Sequence, residues 1–353
     1  MRTLVLLLLL LATANAAEFR RGADVSDVDA VEADGGEFTV LGKPVDLFVL
    51  MRARGLDTVR LRLWQDPPDG RHALPQVLAL ARRAHDAGLD LLLDLHYSDT
   101  WADPAHQTKP AAWADAPFPA LVDSVHAATL RAVTALRDQG TPPALVQLGN
   151  EIDGGLLWPD GRVRGEEGWD RLADLLRAGA DAVRAAMPDA PPAVAVHLAH
   201  GGRPDAAVAF FARLDAHAVP WDVAAVSFYP WWHGDFADLE ATLTALSERF
   251  GKPVLVAETA YPWTLSWADE TRNLVGLQEH GLRGYPPTPH GQRRYLTDLL
   301  ALVERVPDGL GAGVLWWAPE RLPSLTFGSP WENCALFDFQ GEALPAWEAW
   351  AAP

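Results

Sequence analysis

An alternation along the chain restricts the fold more than any other feature. Short β-rich runs at 19–26, 58–64, 90–96, 145–151, 193–198, 223–229, 253–259 and 313–317 are each followed by a segment with helical periodicity. That repetition is the signal for βαβ units around a parallel sheet. Eight such units point to an α/β fold built as a single (β/α)8 TIM barrel.

The helical segments carry their own marks. Leu74, Val77, Leu78 and Ala81 fall at i, i+3, i+4 and i+7, which predicts one apolar stripe on a helix. Leu172, Leu175, Leu176 and Val183 predict a second, with Gly179 where close packing leaves room for no larger side chain. Gly88, Gly140 and Gly251 each precede a strand, where a helix C-terminal cap or tight turn needs positive φ. No Ser-, Gly- or Pro-rich stretch is long enough for a linker, so residues 17–353 are expected to form one domain. The segment from 261 to 289, rich in Trp, Gly and Pro and weak in periodicity, reads as a long functional loop.

Ahead of this domain, residues 1–16 read as a signal peptide. Arg2 supplies the positive charge, Leu4 to Leu11 the apolar run, and Ala14-Asn15-Ala16 the small-residue cleavage site. The expected location is therefore secreted or periplasmic. No later segment approaches the ~18 uninterrupted apolar residues of a membrane span. The single cysteine, Cys334, has no disulfide partner in the chain, so stability has to come from the core. A net charge of −18 would repel nucleic acid and suits a neutral ligand. Nothing in the sequence calls for an obligate protein partner.

In a barrel, the ends of the strands face the active site. The fourth run ends in Asn150-Glu151 and the seventh in Glu258. Two carboxyl groups delivered to one barrel mouth are what glycoside hydrolysis requires: one protonates the leaving oxygen while the other attacks or activates water. A single strand-end Glu is more often a surface charge, and the pairing is what favours chemistry. Trp64, Trp101, Trp158, Trp231, Trp232, Trp263, Trp316 and Trp317 fall at strand ends or in the loops beyond, where indole faces can meet sugar C–H faces. Arg60 and Arg62 alternate with apolar residues and point to one side of their strand. Facing inward they need carboxylates, with Asp24 and Glu258 as candidates. His96 ends the third run and is equally suited to a sugar hydroxyl or a structural bond. No metal-ligand spacing, phosphate loop or Gly-x-Ser-x-Gly elbow is present, so neither metal nor cofactor is expected.

At this point several segments resemble the arabinogalactan endo-β-1,4-galactanases, family 53 of the glycoside hydrolases. They are RGADVS from Arg21, TVRLRLW from Thr58, DLHYSDTWADPAHQTKPAAW from Asp94 and QLGNEIDGGLLWP from Gln147. SFYPWWHG from Ser227, AETAYPWT from Ala257, YPPTPHGQ from Tyr285 and ALFDFQGEALP from Ala335 continue the match in family order. The resemblance implies a retaining endo-hydrolase of β-1,4-galactan, with Glu151 as acid/base and Glu258 as nucleophile. Expected sugar-binding residues are Arg60, Arg62, Asp94, His96, Trp101, Asn150, Tyr229, Trp231, Trp263 and Trp317. Two features depart from the family: Ala318 stands where Glu is frequent, and the loop after Thr264 lacks a calcium-ligand pattern. The alternatives are a retaining endo-β-glycanase acting on mannan or glucan, and a non-catalytic glycan-binding barrel. The DTWADP segment favours galactan, and the presence of both glutamates disfavours the binding protein.

Overall fold

The computed structural model describes residues 18–351; the leader and the expected mature start at Ala17 lie outside that span. Eight parallel strands close on themselves in chain order. They are β1 (Arg20–Asp24), β2 (Thr58–Leu63), β3 (Asp90–Leu95), β4 (Leu145–Leu148), β5 (Ala193–Leu198), β6 (Val223–Phe228), β7 (Val254–Thr259) and β8 (Gly311–Trp317). β8 pairs back onto β1 with Arg20 beside Gly313 and Asp24 beside Trp317. Closure brings the chains so near that a Cβ on Gly313, at φ 125°, would lie 2.0 Å from the Arg20 carbonyl oxygen.

Seven crossover helices form the outer layer: α1 (Leu47–Ala53), α2 (Leu74–Asp86), α3 (Phe118–Asp138), α4 (Gly165–Ala186), α5 (Pro204–Ala216), α6 (Phe236–Phe250) and α7 (Pro289–Glu304). α2 buries Val77, Leu80, Ala81 and Ala84, so its inner face is rotated from the expected stripe and leaves Leu74 and Leu78 at the edge. α4 buries Leu172, Leu175, Leu176 and Val183 as the periodicity predicts. A Cβ on Gly179 would come within 3.1 Å of Leu148 on β4 and of the Tyr97 hydroxyl, which explains the glycine. Among the described residues the eighth run has no α-helix after it. A 3-10 turn at Pro345–Trp350 takes that place and buries Ala346, Trp347 and Trp350. From 261 to 288 the only helical or strand element is a short 3-10 turn at Gln278–His280, and α7 starts at Pro289.

The barrel interior is filled in two storeys. Leu92, Leu145, Ala195, Ala225 and Leu255 belong to an apolar plug. Two residues further along the same strands stand Asp94, Gln147, His197 and Ser227, all fully buried. Successive inward positions on a strand are two residues apart, so each of these polar groups is stacked directly above an apolar one. The plug excludes water from below, and the polar storey becomes the floor of the open end.

Candidate active site

Two local departures from regular strand geometry aim the glutamates. On β7, Val256 pairs with Val226 but the next paired residue is Glu258, against Ser227, so Ala257 is an extra residue. Against β8 the register also slips, with Val256 opposite Val314 and Thr259 opposite Trp316. Leu255 and Ala257 both join the interior plug. Strict alternation would then send Glu258 outward into the helices, and the bulge turns it inward instead. Thr259 takes the outer face, bonding the Phe228 carbonyl at 2.8 Å and the Tyr295 hydroxyl of α7 at 2.7 Å. On the fourth strand the extended run ends at Leu148, three residues short of the expected 151. Gly149 has φ 79° and Glu151 φ 49°, and this twist brings Asn150 and Glu151 together to the open end.

There the two glutamates line one cavity of about 460 Å³, with Arg60, Asn150 and Tyr229 in its wall. Trp64, Trp101, Trp232, Trp317 and Trp331 surround it. Trp101 and Trp232 are 38% and 56% exposed, leaving indole faces open to a ligand. Trp317 meets Trp331 edge-on at 4.8 Å, and the Arg62 guanidinium lies 4.0 Å from the Trp101 ring centre.

Arg60 organises the floor. Its NH1 lies 2.9 Å from Asp24 and 2.8 Å from Glu258, and its NH2 lies 2.9 Å from Asp94. The same fork donates to Gln147 at 3.2 Å and to Asn150 at 2.8 Å. A planar guanidinium can satisfy several oxygens at fixed angles in this way, and a lysine cannot. The Tyr229 hydroxyl donates to the other oxygen of Glu258 at 2.9 Å. Burial and the adjacent Glu258 raise the Tyr229 phenol well above its usual range, so it remains a donor.

The two carboxyl groups differ in their surroundings. Burial raises both, but Arg60 and the Tyr229 hydrogen bond oppose the rise at Glu258. Glu151 is pushed well above the ordinary range by burial and then by the negative charge of Glu258, with Ser227 at 2.6 Å as its hydrogen-bond partner. When two such groups share a buried site, one proton is retained between them. Arg60 and the Tyr229 hydroxyl favour the charge on Glu258, and burial beside Glu258 favours the proton on Glu151.

The expected sugar-binding residues divide by position. Arg60, Arg62, His96, Trp101, Asn150, Tyr229 and Trp317 line the cavity, whereas Asp94, Trp231 and Trp263 do not. Asp94 is fully buried beneath it, bonded to Gln147 at 2.6 Å and to His96 at 3.0 Å. Trp231 is packed among Tyr229, Trp232 and Trp331, and Trp263 is turned onto Phe339 with its indole N–H on the Glu332 carbonyl. Both nitrogens of His96 are engaged, Nε2 with Asp94 and Nδ1 with the Trp64 and Ala102 N–H groups. Arg62 is paired with Asp27, beside Arg321. Sequence reasoning passed over Gln147, His197, Ser227 and Trp331. The first three were detectable as polar residues in phase with inward apolar ones on their strands.

Ala318, one of the departures from the family pattern, is buried with φ 55° and donates its N–H to the Asp24 carbonyl at 3.0 Å. In the loop after Thr264, the Asp269 carboxylate accepts backbone N–H groups from Thr271, Ser324 and Ser329 at 2.6, 3.1 and 2.6 Å, tying that loop to the one after β8. Among the described residues no group of three or more His, Cys, Asp or Glu has a metal-holding arrangement. No helix among them is long and apolar enough to cross a membrane.

The family profile of glycosyl hydrolase family 53 matches residues 20–350, the length of the barrel. The chain belongs to glycosyl hydrolase family 53. Among its relatives, an arabinogalactan endo-β-1,4-galactanase of Cellvibrio japonicus is 36% identical over 93% of this chain and 89% of its own. An uncharacterised protein of Niallia circulans is 41% identical over 94% and 93%. The family 53 catalytic domain of Ignisphaera aggregans superposes with a TM-score of 0.89 at 35% identity, covering 96% of each chain.

Proposed function

We propose that this family 53 chain is an endo-β-1,4-galactanase that cleaves type I arabinogalactan with retention, Glu258 acting as nucleophile and Glu151 as acid/base. The observation that carries the assignment is the unequal setting of two carboxyl groups in one cavity. Glu258 faces a guanidinium and a phenol, while Glu151 faces a neutral hydroxyl and the charge of Glu258. Galactan as the substrate rests on the relatives that bear that name over nearly their whole length.

The steps follow from this setting. An ionised Glu258 attacks the anomeric carbon as the bond to the leaving oxygen breaks, and Glu151 gives its proton to that oxygen. A covalent galactosyl ester on Glu258 results. Water then loses a proton to Glu151 and attacks the same carbon, releasing Glu258 and restoring the acid. Asn150 donates its amide to the Ala102 carbonyl at 2.9 Å and takes Arg60 on its oxygen, so its position beside Glu151 is fixed for contact with the sugar next to the reacting carbon. The open indoles of Trp101 and Trp232 suit a neutral polysaccharide threaded across the mouth. Residues 17–353 act as one catalytic domain, and the leader at 1–16 directs it to the periplasm or the medium, where pectin side chains are accessible.

Product stereochemistry tests the mechanism. Followed by proton NMR before mutarotation, newly released reducing ends appear first as the β-anomer. First appearance of the α-anomer contradicts a double displacement.

A further inference from the structure

Behind Glu151 runs a file of buried groups whose hydrogen-bond directions can be assigned one after another, starting from the fixed end. The Asn150 amide nitrogen faces the Ala102 carbonyl at 2.9 Å, and its oxygen receives the Arg60 NH2 at 2.8 Å. A carbonyl can only accept and a guanidinium can only donate, so the orientation of the amide is settled twice over.

His197 comes next. Its Nδ1 lies 2.8 Å from the Asn150 oxygen, which only accepts, so Nδ1 carries a proton. Gln147 Nε2 is also near, at 3.2 Å, but it has nearer acceptors in Asp94 at 2.6 Å and the Gly149 carbonyl at 3.0 Å for its two hydrogens. His197 is fully buried and its hydrogen-bond partners are Asn150, Gln147 and Ser227, none of them a carboxylate, so no counter-charge is bonded to the ring and it is neutral; burial and the charge of Arg60 lower its pKa in the same sense. A neutral ring protonated at Nδ1 has a bare Nε2. That Nε2 lies 3.0 Å from Ser227 Oγ, whose single hydrogen therefore turns toward it. Ser227 Oγ is then left with only acceptor capacity toward Glu151 Oε1 at 2.6 Å, and the proton in that contact belongs to Glu151.

We infer that Ser227 and His197 are positioning residues that hold the Glu151 proton on its inward oxygen in the free enzyme. The Ser227 hydroxyl turns from His197 to Glu151 when that proton is redirected to the leaving oxygen. No proton is lost from the file: the Glu151 hydrogen passes to the glycosidic oxygen, and the serine keeps its own, now donated to the carboxylate. His197 Nε2 loses its donor in that state, which biases the pair toward the acid form and recharges it when water is deprotonated. This inference rests on the assignment of Glu151 as the acid.

The test is the alkaline limb of kcat/KM, which reports Glu151. Glu258, Asp153 and Arg60 are the charged and titratable groups that face Glu151, and Arg60, Asp94, His96 and His233 those that face His197; all remain in the variants. His197→Leu removes the acceptor that competes for the serine hydrogen, so Ser227 is free to stabilise the carboxylate. The limb is expected to move about half to one pH unit lower. If His197 instead donates through Nε2, its loss weakens the serine and the limb moves higher, which overturns the inference. In a Ser227→Ala background, His197→Leu should leave the limb in place, because the effect of His197 on the Glu151 proton passes through that hydroxyl; a shift of equal size there also overturns it. Nitrogen NMR of the wild-type protein decides independently of whether the leucine variant folds: Nδ1–H on His197 is required, and Nε2–H refutes it. Glu151→Ala, assayed on a galactoside with an activated leaving group, should lose the alkaline limb. A limb that survives there refutes the acid assignment itself, whereas one that vanishes there but rises in His197→Leu refutes only the inference.

Discussion

Tyr229→Phe removes one atom from the site and isolates what the phenol does for Glu258. The hydroxyl donates at 2.9 Å to a carboxyl that is 6% exposed, while Arg60 remains on the other oxygen at 2.8 Å. A hydrogen bond to a charged group contributes about 1.5–3 kcal/mol. Tyr229 borders the open cavity, so water can enter where the phenol oxygen was, and the lower end, about 1.5 kcal/mol, applies. That equals about one pH unit. The lost bond favoured the charged form, so the pKa of Glu258 rises and the nucleophile is protonated earlier as pH falls. In kcat/KM measured on soluble galactan from about pH 3 to 9, the acidic limb should move up by about one unit. The alkaline limb should hold, because Glu151 keeps its own surroundings. An acidic limb that stays fixed or moves down in a folded variant would refute the claim that this hydrogen bond keeps Glu258 ionised.

Other substitutions probe the same framework. Arg60→Met leaves Asp24, Asp94 and Glu258 without their shared cation, and urea unfolding should show a loss of about 3–5 kcal/mol; a loss under about 1 kcal/mol would deny Arg60 its organising role. Gly313→Ala sets a Cβ against the Arg20 carbonyl at the β1–β8 closure and should cost roughly 3 kcal/mol in thermal or urea unfolding, with unchanged stability arguing against so tight a closure. Glu258→Ala should abolish turnover on galactan while azide restores part of it by entering the vacated space, and full activity without azide would remove the nucleophile assignment.

Much of this is legible because inward and outward positions on a strand are written in the sequence at a period of two. Alternation alone puts Arg60 and Arg62 on one face, and their charge calls for Asp24 and Glu258 as partners; the folded barrel gives Arg60 both, and adds Asp94. The rest depends on departures from that period. Glu258 shares its phase with the outward Val254 and Val256, so only the extra residue at Ala257 brings it inside, and no local pattern announces a bulge. The positive φ of Glu151 is equally silent in an apolar strand end. Gln147, His197 and Ser227 are in phase with Leu145, Ala195 and Ala225, but each looks like an isolated polar residue until closure puts the strands side by side. Trp331 lies in a loop without periodicity, Trp231 packs behind Tyr229, Trp232 and Trp331, and Trp263 turns onto Phe339, distant in the chain.

The extra residue in β7 also bears on how such a barrel can change its substrate. The aim of Glu258 is set by backbone register within the sheet, where Glu258 pairs with Ser227 and Thr259 with Trp316. Leu274, on that segment, reaches the cavity wall beside the indoles. Insertions, deletions or exchanges along 262–286 can therefore remodel the rim that meets the polysaccharide while the reacting carboxyl keeps its bearing. The rim near Leu274 and the aim of the reacting carboxyl are thereby set by separate stretches of chain, and a change in one can be assayed apart from the other.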